Sequence, residues 1–200
     1  MTRRIIVALV AGHLMVAAAL ALATSTAVTR QGVNFQLLDK SLPLYVKVID
    51  FVHRHEHYGL LAKEITAGLA TDRERAEAIL SWTRRTIRPI PDGFPVVDDH
   101  VLDIIVRRYG SLDQMADVFS VLATYAGVPS YWEGVETGPM PGLYAYARLD
   151  GQWFLVDFSR HGDLTSPPPE LAAVPPHPLR AELQMPGRRL LHEARQLIGR

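Results

Sequence analysis

The chain of 200 residues contains no cysteine, and that absence removes disulfides, thiolate nucleophiles and cysteine-ligated zinc together. The compartment stays open. Charge of one sign is also lacking, because 21 basic and 21 acidic residues cancel to a formal net charge of zero. The whole-chain field therefore offers no general attraction to nucleic acid, and no nucleic-acid partner is expected. No internal repeat and no phosphate-cradling glycine loop interrupts the sequence, and neither a metal nor a cofactor is expected. What remains is a hydrophobic fraction of 48%, enough for a real core in one domain of ordinary size with appendages.

The longest feature present is apolar. After Arg3 and Arg4, residues Ile5 to Val28 are broken mainly by His13 and by Thr24-Ser25-Thr26, and about 20 apolar residues suffice to cross a bilayer as a helix. Residues 1–30 read as a transmembrane anchor, with the leading arginines placing the N-terminus in the cytoplasm and the remainder outside. A cleaved signal peptide is the competing reading, since Ala21-Leu22-Ala23 and Ser25-Thr26-Ala27 are small-residue cleavage sites, and the domain would then be secreted. Both readings export the rest of the chain. A lone His13, one-third of the way into the run, is read as tolerated.

Residues 34–68 read as an uneven helix with a partial stripe of Leu44, Val48, Phe51 and Val52. His53-Arg54-His55-Glu56-His57 lies inside it, and on a helix only His53 and His57 share a face, which is too few ligands for a metal. Residues 71–87 form a clearer helix: Thr71 and Glu74 make a capping box, and Ala76, Ile79, Leu80, Thr83 and Ile87 line one face. The turn-rich stretch after Arg88-Pro89 ends at Asp98-Asp99-His100, before a short helix from Val101 to Arg108. Asp98 or Asp99 reads as its cap. The sharper alternative gathers Asp98, Asp99 and His100 into a polar cluster near Asp113 and Gln114.

The centre of the chain is Tyr109 to Pro129. Leu112, Met115, Ala116, Phe119, Leu122, Ala123 and Ala126 recur at spacings of three and four, the period of a helix burying one face. Ser111 and Gln114 make a Ser-x-x-Gln capping box, Asp113 complements the positive end of the helix dipole, and Gly127 with Pro129 ends the helix. A strand follows over Ser130 to Val135, carrying Tyr131 and Trp132. Then Leu143–Leu149 and Gln152–Phe158 form a hairpin about Asp150-Gly151. Tyr144, Tyr146 and Arg148 alternate with Ala145, Ala147 and Leu149, so the aromatics read first as sheet packing and second as ligand contacts.

This glycine-led helix followed by the YAYARLDGQWFLVD hairpin resembles the transglutaminase-like superfamily. The resemblance implies a papain-like α+β fold, helices packed on a small antiparallel sheet, here behind an N-terminal transmembrane helix. The family pattern places Gly-x-Cys-x-x-x-Ala at the helix start and a His and an Asp on adjacent strands. Gly110, Ala116, Gly151, Trp153 and Asp157 match it. The Cys position falls on Leu112 and the His position on Gly142, so only Asp157 of the implied triad is retained. Acyl transfer in that family needs a thiolate, and leucine is neither nucleophile nor base.

The implied transglutaminase-like domain covers residues 34–165. Residues 166–186 are proline-rich, a linker or strap, and residues 187–200 form a basic amphipathic helix suited to a membrane, a protein partner or its own domain. Three functions follow. The first is a catalytically inactive, membrane-anchored module that binds a peptide, a glycan or an envelope-assembly partner through Asp98, Asp99, His100, Ser111, Asp113, Gln114, Tyr131, Trp132, Tyr144 and Asp157. The second is a hydrolase or acyltransferase with a relocated site, Ser111 served by His100 and by Asp113 or Asp157. The third is a purely structural role through the anchor and C-terminal helix.

Overall fold

The computed structural model describes residues 3–33, 36–94, 100–135, 142–156, 158 and 164–165. The chain divides into two units, Met1–His57 and Tyr58–Arg200.

In the first unit, α1 (Arg3–Thr24) is long and apolar enough to cross a membrane, the span being Ile5–Thr24, none of it buried. At ~1.5 Å per residue its 22 residues reach about 33 Å, against a hydrocarbon core of about 30 Å. His13 turns its Nδ1 to the Leu9 carbonyl at 2.7 Å, satisfying its polar ring within the helix. The stretch beyond differs from the expected helix. β1 (Thr26–Val33) and β2 (Gln36–Pro43) form an antiparallel hairpin in which Thr26 faces Pro43 and Val33 faces Gln36. Only from Leu44 does the helix begin, as α2 (Leu44–Ile65). Pro43 accounts for this boundary, because its ring disfavours the helical conformation in the residue before it.

The second unit holds the core. α2 enters it at Tyr58 and Ala62, with Tyr58 edge-on to Tyr125 at 5.4 Å between ring centroids. α3 (Asp72–Thr86) starts at the expected capping box: the Thr71 hydroxyl accepts from the Glu74 N–H at 3.2 Å, and Glu74 Oε2 accepts from the Thr71 N–H at 2.9 Å. Its predicted face, Ala76, Ile79, Leu80, Thr83 and the capping Ile87, is buried throughout. α4 (Val101–Arg107) has His100 at its N-cap position, not an aspartate, and His100 forms no side-chain cap bond; Asp98 and Asp99 lie outside the described residues.

α5 (Leu112–Tyr125) is the hub, packed on α3, α4 and the sheet. The four-stranded antiparallel sheet has the order β3 (Ser130–Val135), β4 (Gly142–Leu149), β5 (Gln152–Val156), β6 (Leu164–Thr165). Positive φ values of 52° at Asp150 and 82° at Gly151 make the β4–β5 connection a type I′ turn, whose twist suits a two-residue hairpin. Period-two alternation then divides the sheet's side chains. Ala145, Ala147 and Leu149 join the α5 core, while Tyr131, Tyr144, Tyr146 and Leu155 form a second buried cluster. Tyr131 stacks on Tyr146 at 5.0 Å and meets Trp153 edge-on at 5.2 Å.

Candidate functional site

The α4–α5 junction is built from a reversal and a glycine. Arg108 takes the left-handed conformation, φ 61°, as the C-cap of α4, and the chain then runs beside Arg88. The Arg88 N–H donates to the Arg108 carbonyl, and the Gly110 N–H donates to the Arg88 carbonyl, both at 3.0 Å. Gly110 is buried, and a Cβ there would meet Gln114 Oε1 at 3.0 Å, Gln114 Cβ at 3.2 Å and Ile104 Cγ2 at 3.3 Å. A side chain would therefore push apart the very contacts that start α5.

Those contacts form a polar knot. Gln114, 2% exposed, presents Oε1 to two donors: the Ser111 N–H at 3.1 Å and Arg107 Nη2 at 2.9 Å. Both acceptor sites of that oxygen are thereby occupied. Arg107 also donates from Nε to the Tyr109 carbonyl at 3.0 Å, and its guanidinium lies 5.3 Å from the Tyr109 ring centre. Phe94 closes on the same ring, edge-on at 5.7 Å. The Ser111 hydroxyl donates to the Asp113 carboxylate, and the Ser111–Gln114 capping box is formed.

Asp98 and Asp99, expected near Asp113 and Gln114, lie outside the described residues, and what joins Ser111 and Gln114 at the start of α5 is a cation. Arg107 supplies it from the C-terminal end of α4, whereas His100 caps the other end of that helix. Seven helical residues at ~1.5 Å each separate those ends by about 10 Å. Arg107 had a signal in the sequence, a basic residue in the last turn of a helix beside a capping glutamine. Its partner became visible only when the turn at Gly110 folded the two helices together.

Leu112 departs from the core assignment. It is 45% exposed, whereas Met115, Ala116, Phe119, Leu122 and Ala123 of the same stripe are buried. At the first position of α5 its side chain projects back past the helix end, where no further turn covers it.

A second polar contact sets where the sheet begins. Gly127, φ 89°, reverses the chain after α5. Ser130 Oγ then donates to the Ser120 carbonyl at 2.6 Å and lies 3.0 Å from Thr124 Oγ1. β3 thus starts beside the C-terminal half of α5. Gly142 pairs with Val135 at the far end of β3. Asp157 lies outside the described residues, next to Val156, which pairs with Ala145.

Solved structures that match the chain include a candidate cysteine protease from Cytophaga hutchinsonii, with 19% identity over 53% of this chain and 38% of that one and a TM-score of 0.42. A candidate protease from Parabacteroides distasonis matches with 11% identity over 74% and 42% and a TM-score of 0.39. A TGase matches with 10% identity over 76% and 50% and a TM-score of 0.44. In arrangement, helices on a small antiparallel sheet, the chain resembles them. It spans 38 to 50% of their lengths, and whatever chemistry they perform stays with them. No family model and no curated protein matches the chain.

Of the remaining candidate residues, Tyr131 and Tyr144 are 1% and 4% exposed and serve the sheet interior, while Trp132 is 37% exposed. His53 and His57 meet edge-on at 4.3 Å on α2 as their spacing required. Among the described residues, no group of three or more His, Asp or Glu is placed to hold a metal ion. The proline-rich residues 166–186 and residues 187–200, for which a helix was expected, lie outside the described residues.

Proposed function

We propose that this chain is a membrane-anchored, extracytoplasmic transglutaminase-like module that has lost catalysis and binds a peptide or glycan partner of the cell envelope. The observation that carries the reading is the start of α5: Leu112, at its first position, stands where the family pattern requires Cys, and Gly142, at the start of β4, falls where that pattern requires His. A chain without cysteine has no thiol to move into that place. Ser111 does not replace it, because its hydroxyl is committed to Asp113 and its N–H to Gln114. A serine nucleophile needs a base within hydrogen-bond reach that can take its proton, and a structural cap is a poor starting point for that. The exposed Leu112, Phe94 and Trp132 offer apolar area of the kind that binds extended ligands. The anchor is supported by the length and composition of α1.

The test is labelling of the full chain in detergent with a fluorophosphonate probe, alongside amine incorporation into a glutamine-containing protein and binding to peptide and glycan arrays. Neither labelling nor incorporation is expected, and array binding should fall with Trp132→Ala. Labelling that disappears in Ser111→Ala would return the chain to the hydrolases.

A further inference from the structure

The first turns of α2 are apolar and uncovered. Tyr45, Val46, Val48, Ile49, Phe51 and Val52 are each between 37 and 63% exposed. At ~100° per residue they span an arc of roughly 220° around the helix, leaving only Lys47 and Asp50 on the remaining side. That polar side is occupied: Lys47 Nζ donates to the Val28 carbonyl at 3.0 Å, and Asp50 pairs with Arg54 at 3.0 Å. The arc is too wide for the narrow seam of a helix pair, which buries one stripe. A fluid hydrocarbon boundary accepts any direction.

The backbone fixes where this surface lies. The Leu44 N–H donates to the Ser25 carbonyl at 2.8 Å, and Thr26 pairs with Pro43 at the base of the β1–β2 hairpin. α2 therefore starts within one hydrogen bond of the residue that follows the span Ile5–Thr24. From His53 to His57 the sequence turns polar, HRHEH, and by Tyr58 the helix has entered the second unit's core.

We propose that residues Leu44 to Val52 of α2 are immersed in the headgroup–acyl boundary of the bilayer, a second membrane contact continuous with α1. The proposal rests on the reading of α1 as an anchor. Tyr45 suits this depth because its ring is apolar and its hydroxyl seeks water, and Lys47 can keep its charged head at the polar side. The polar run His53 to His57 marks where the helix leaves lipid.

The native absence of cysteine makes the test clean. Single substitutions Tyr45→Cys, Ile49→Cys, Val52→Cys and Glu56→Cys, with Met15→Cys inside α1 as reference, are spin-labelled in the full chain. The labelled chain is reconstituted in vesicles of phosphatidylcholine with phosphatidylglycerol. Collision with oxygen, which concentrates in lipid, is compared with collision with a water-soluble nickel complex. Oxygen should win severalfold at residues 45, 49 and 52 and at 15, and nickel at 56. Lipid exposure at 15 with nickel exposure at 45, 49 and 52 overturns this proposal and leaves the anchor standing. Nickel exposure at 15 removes the anchor, and this inference with it. Protection from both reagents at 49 and 52 means that protein, a second copy or another chain, covers the face, and also overturns the proposal.

Discussion

Replacing Gly110 by alanine sets two opposed effects against each other, and the distances decide between them. Gly110 does not occupy the left-handed region, so alanine is conformationally allowed and would restrict the unfolded chain, a gain of about 0.4–1 kcal/mol. Against this, the new Cβ would sit 3.0 Å from Gln114 Oε1, 3.2 Å from Gln114 Cβ and 3.3 Å from Ile104 Cγ2. Neither neighbour can yield easily. Ile104 is fully buried, and Gln114 is 2% exposed with its oxygen held by Ser111 and Arg107. Overpacking of this kind costs about 1–3 kcal/mol. If Gln114 swings away instead, it forfeits hydrogen bonds worth about 1 kcal/mol each, and more for the one to arginine.

The net expectation is a destabilisation of about 1–2 kcal/mol. At about 2–4 °C per kcal/mol for a domain of this size, Tm should fall by about 2–8 °C. Near-ultraviolet circular dichroism of the full chain in detergent follows this, since Tyr109, Tyr125, Tyr131 and Trp153 all sit in ring contacts of the second unit. Gly110→Ala combined with Gln114→Ala should cost less than the sum of the two single changes, because the clash partner is gone. An unchanged or raised Tm in Gly110→Ala, or strict additivity in the double variant, would refute the steric account of this junction.

Ser130→Ala removes a buried donor to the Ser120 carbonyl and a partner of Thr124, so a loss of about 1–3 kcal/mol is expected in urea unfolding, with Thr83→Ser as a milder buried comparison. Glu74 is held below its ordinary pKa by the Thr71 N–H, then by the Thr71 hydroxyl and the Ala70 N–H. A depressed folded-state value means its stabilising effect is complete above the unfolded carboxylate range and lost as pH falls through the folded value. Glu74→Gln should therefore flatten the acid side of the stability–pH curve, and an unaltered slope would remove Glu74 from that balance. Leu112→Cys should introduce an accessible thiol, since Leu112 is 45% exposed. It should alkylate with iodoacetamide yet transfer no acyl group if, as proposed, the site has no imidazole to serve it; measurable turnover by this variant alone would show that a base is already in place.

The local elements were legible where residue spacing and local hydrogen bonding agree. Thr71 and Glu74 announced the start of α3, Ser111 and Gln114 that of α5, and Asp150-Gly151 the hairpin, because each is a contact between residues at most three apart. The alternation of Tyr144 and Tyr146 with Ala145 and Ala147 likewise divided the sheet's faces before any partner was known. The helix assigned to residues 34–43 failed for a complementary reason: a two-stranded hairpin depends on cross-strand pairing, and residues such as Leu37 and Leu38 carry no periodic mark of it.

Sequence alone determined the chemistry that is absent, since a chain without cysteine has no thiolate in any fold, and it determined which residues could bury one face of α5. Tertiary structure decided that Arg107 completes the polar knot at Gln114, that Leu112 faces out while its periodic neighbours face in, and that Ser130 closes on Ser120 and Thr124. These are meetings between groups set by the turns at Gly110 and Gly127, and the direction in which a chain returns is settled by what it packs against. The exposed first turns of α2 belong to the same class: their composition was plain, but their place beside the end of α1 depended on the tie between Leu44 and Ser25.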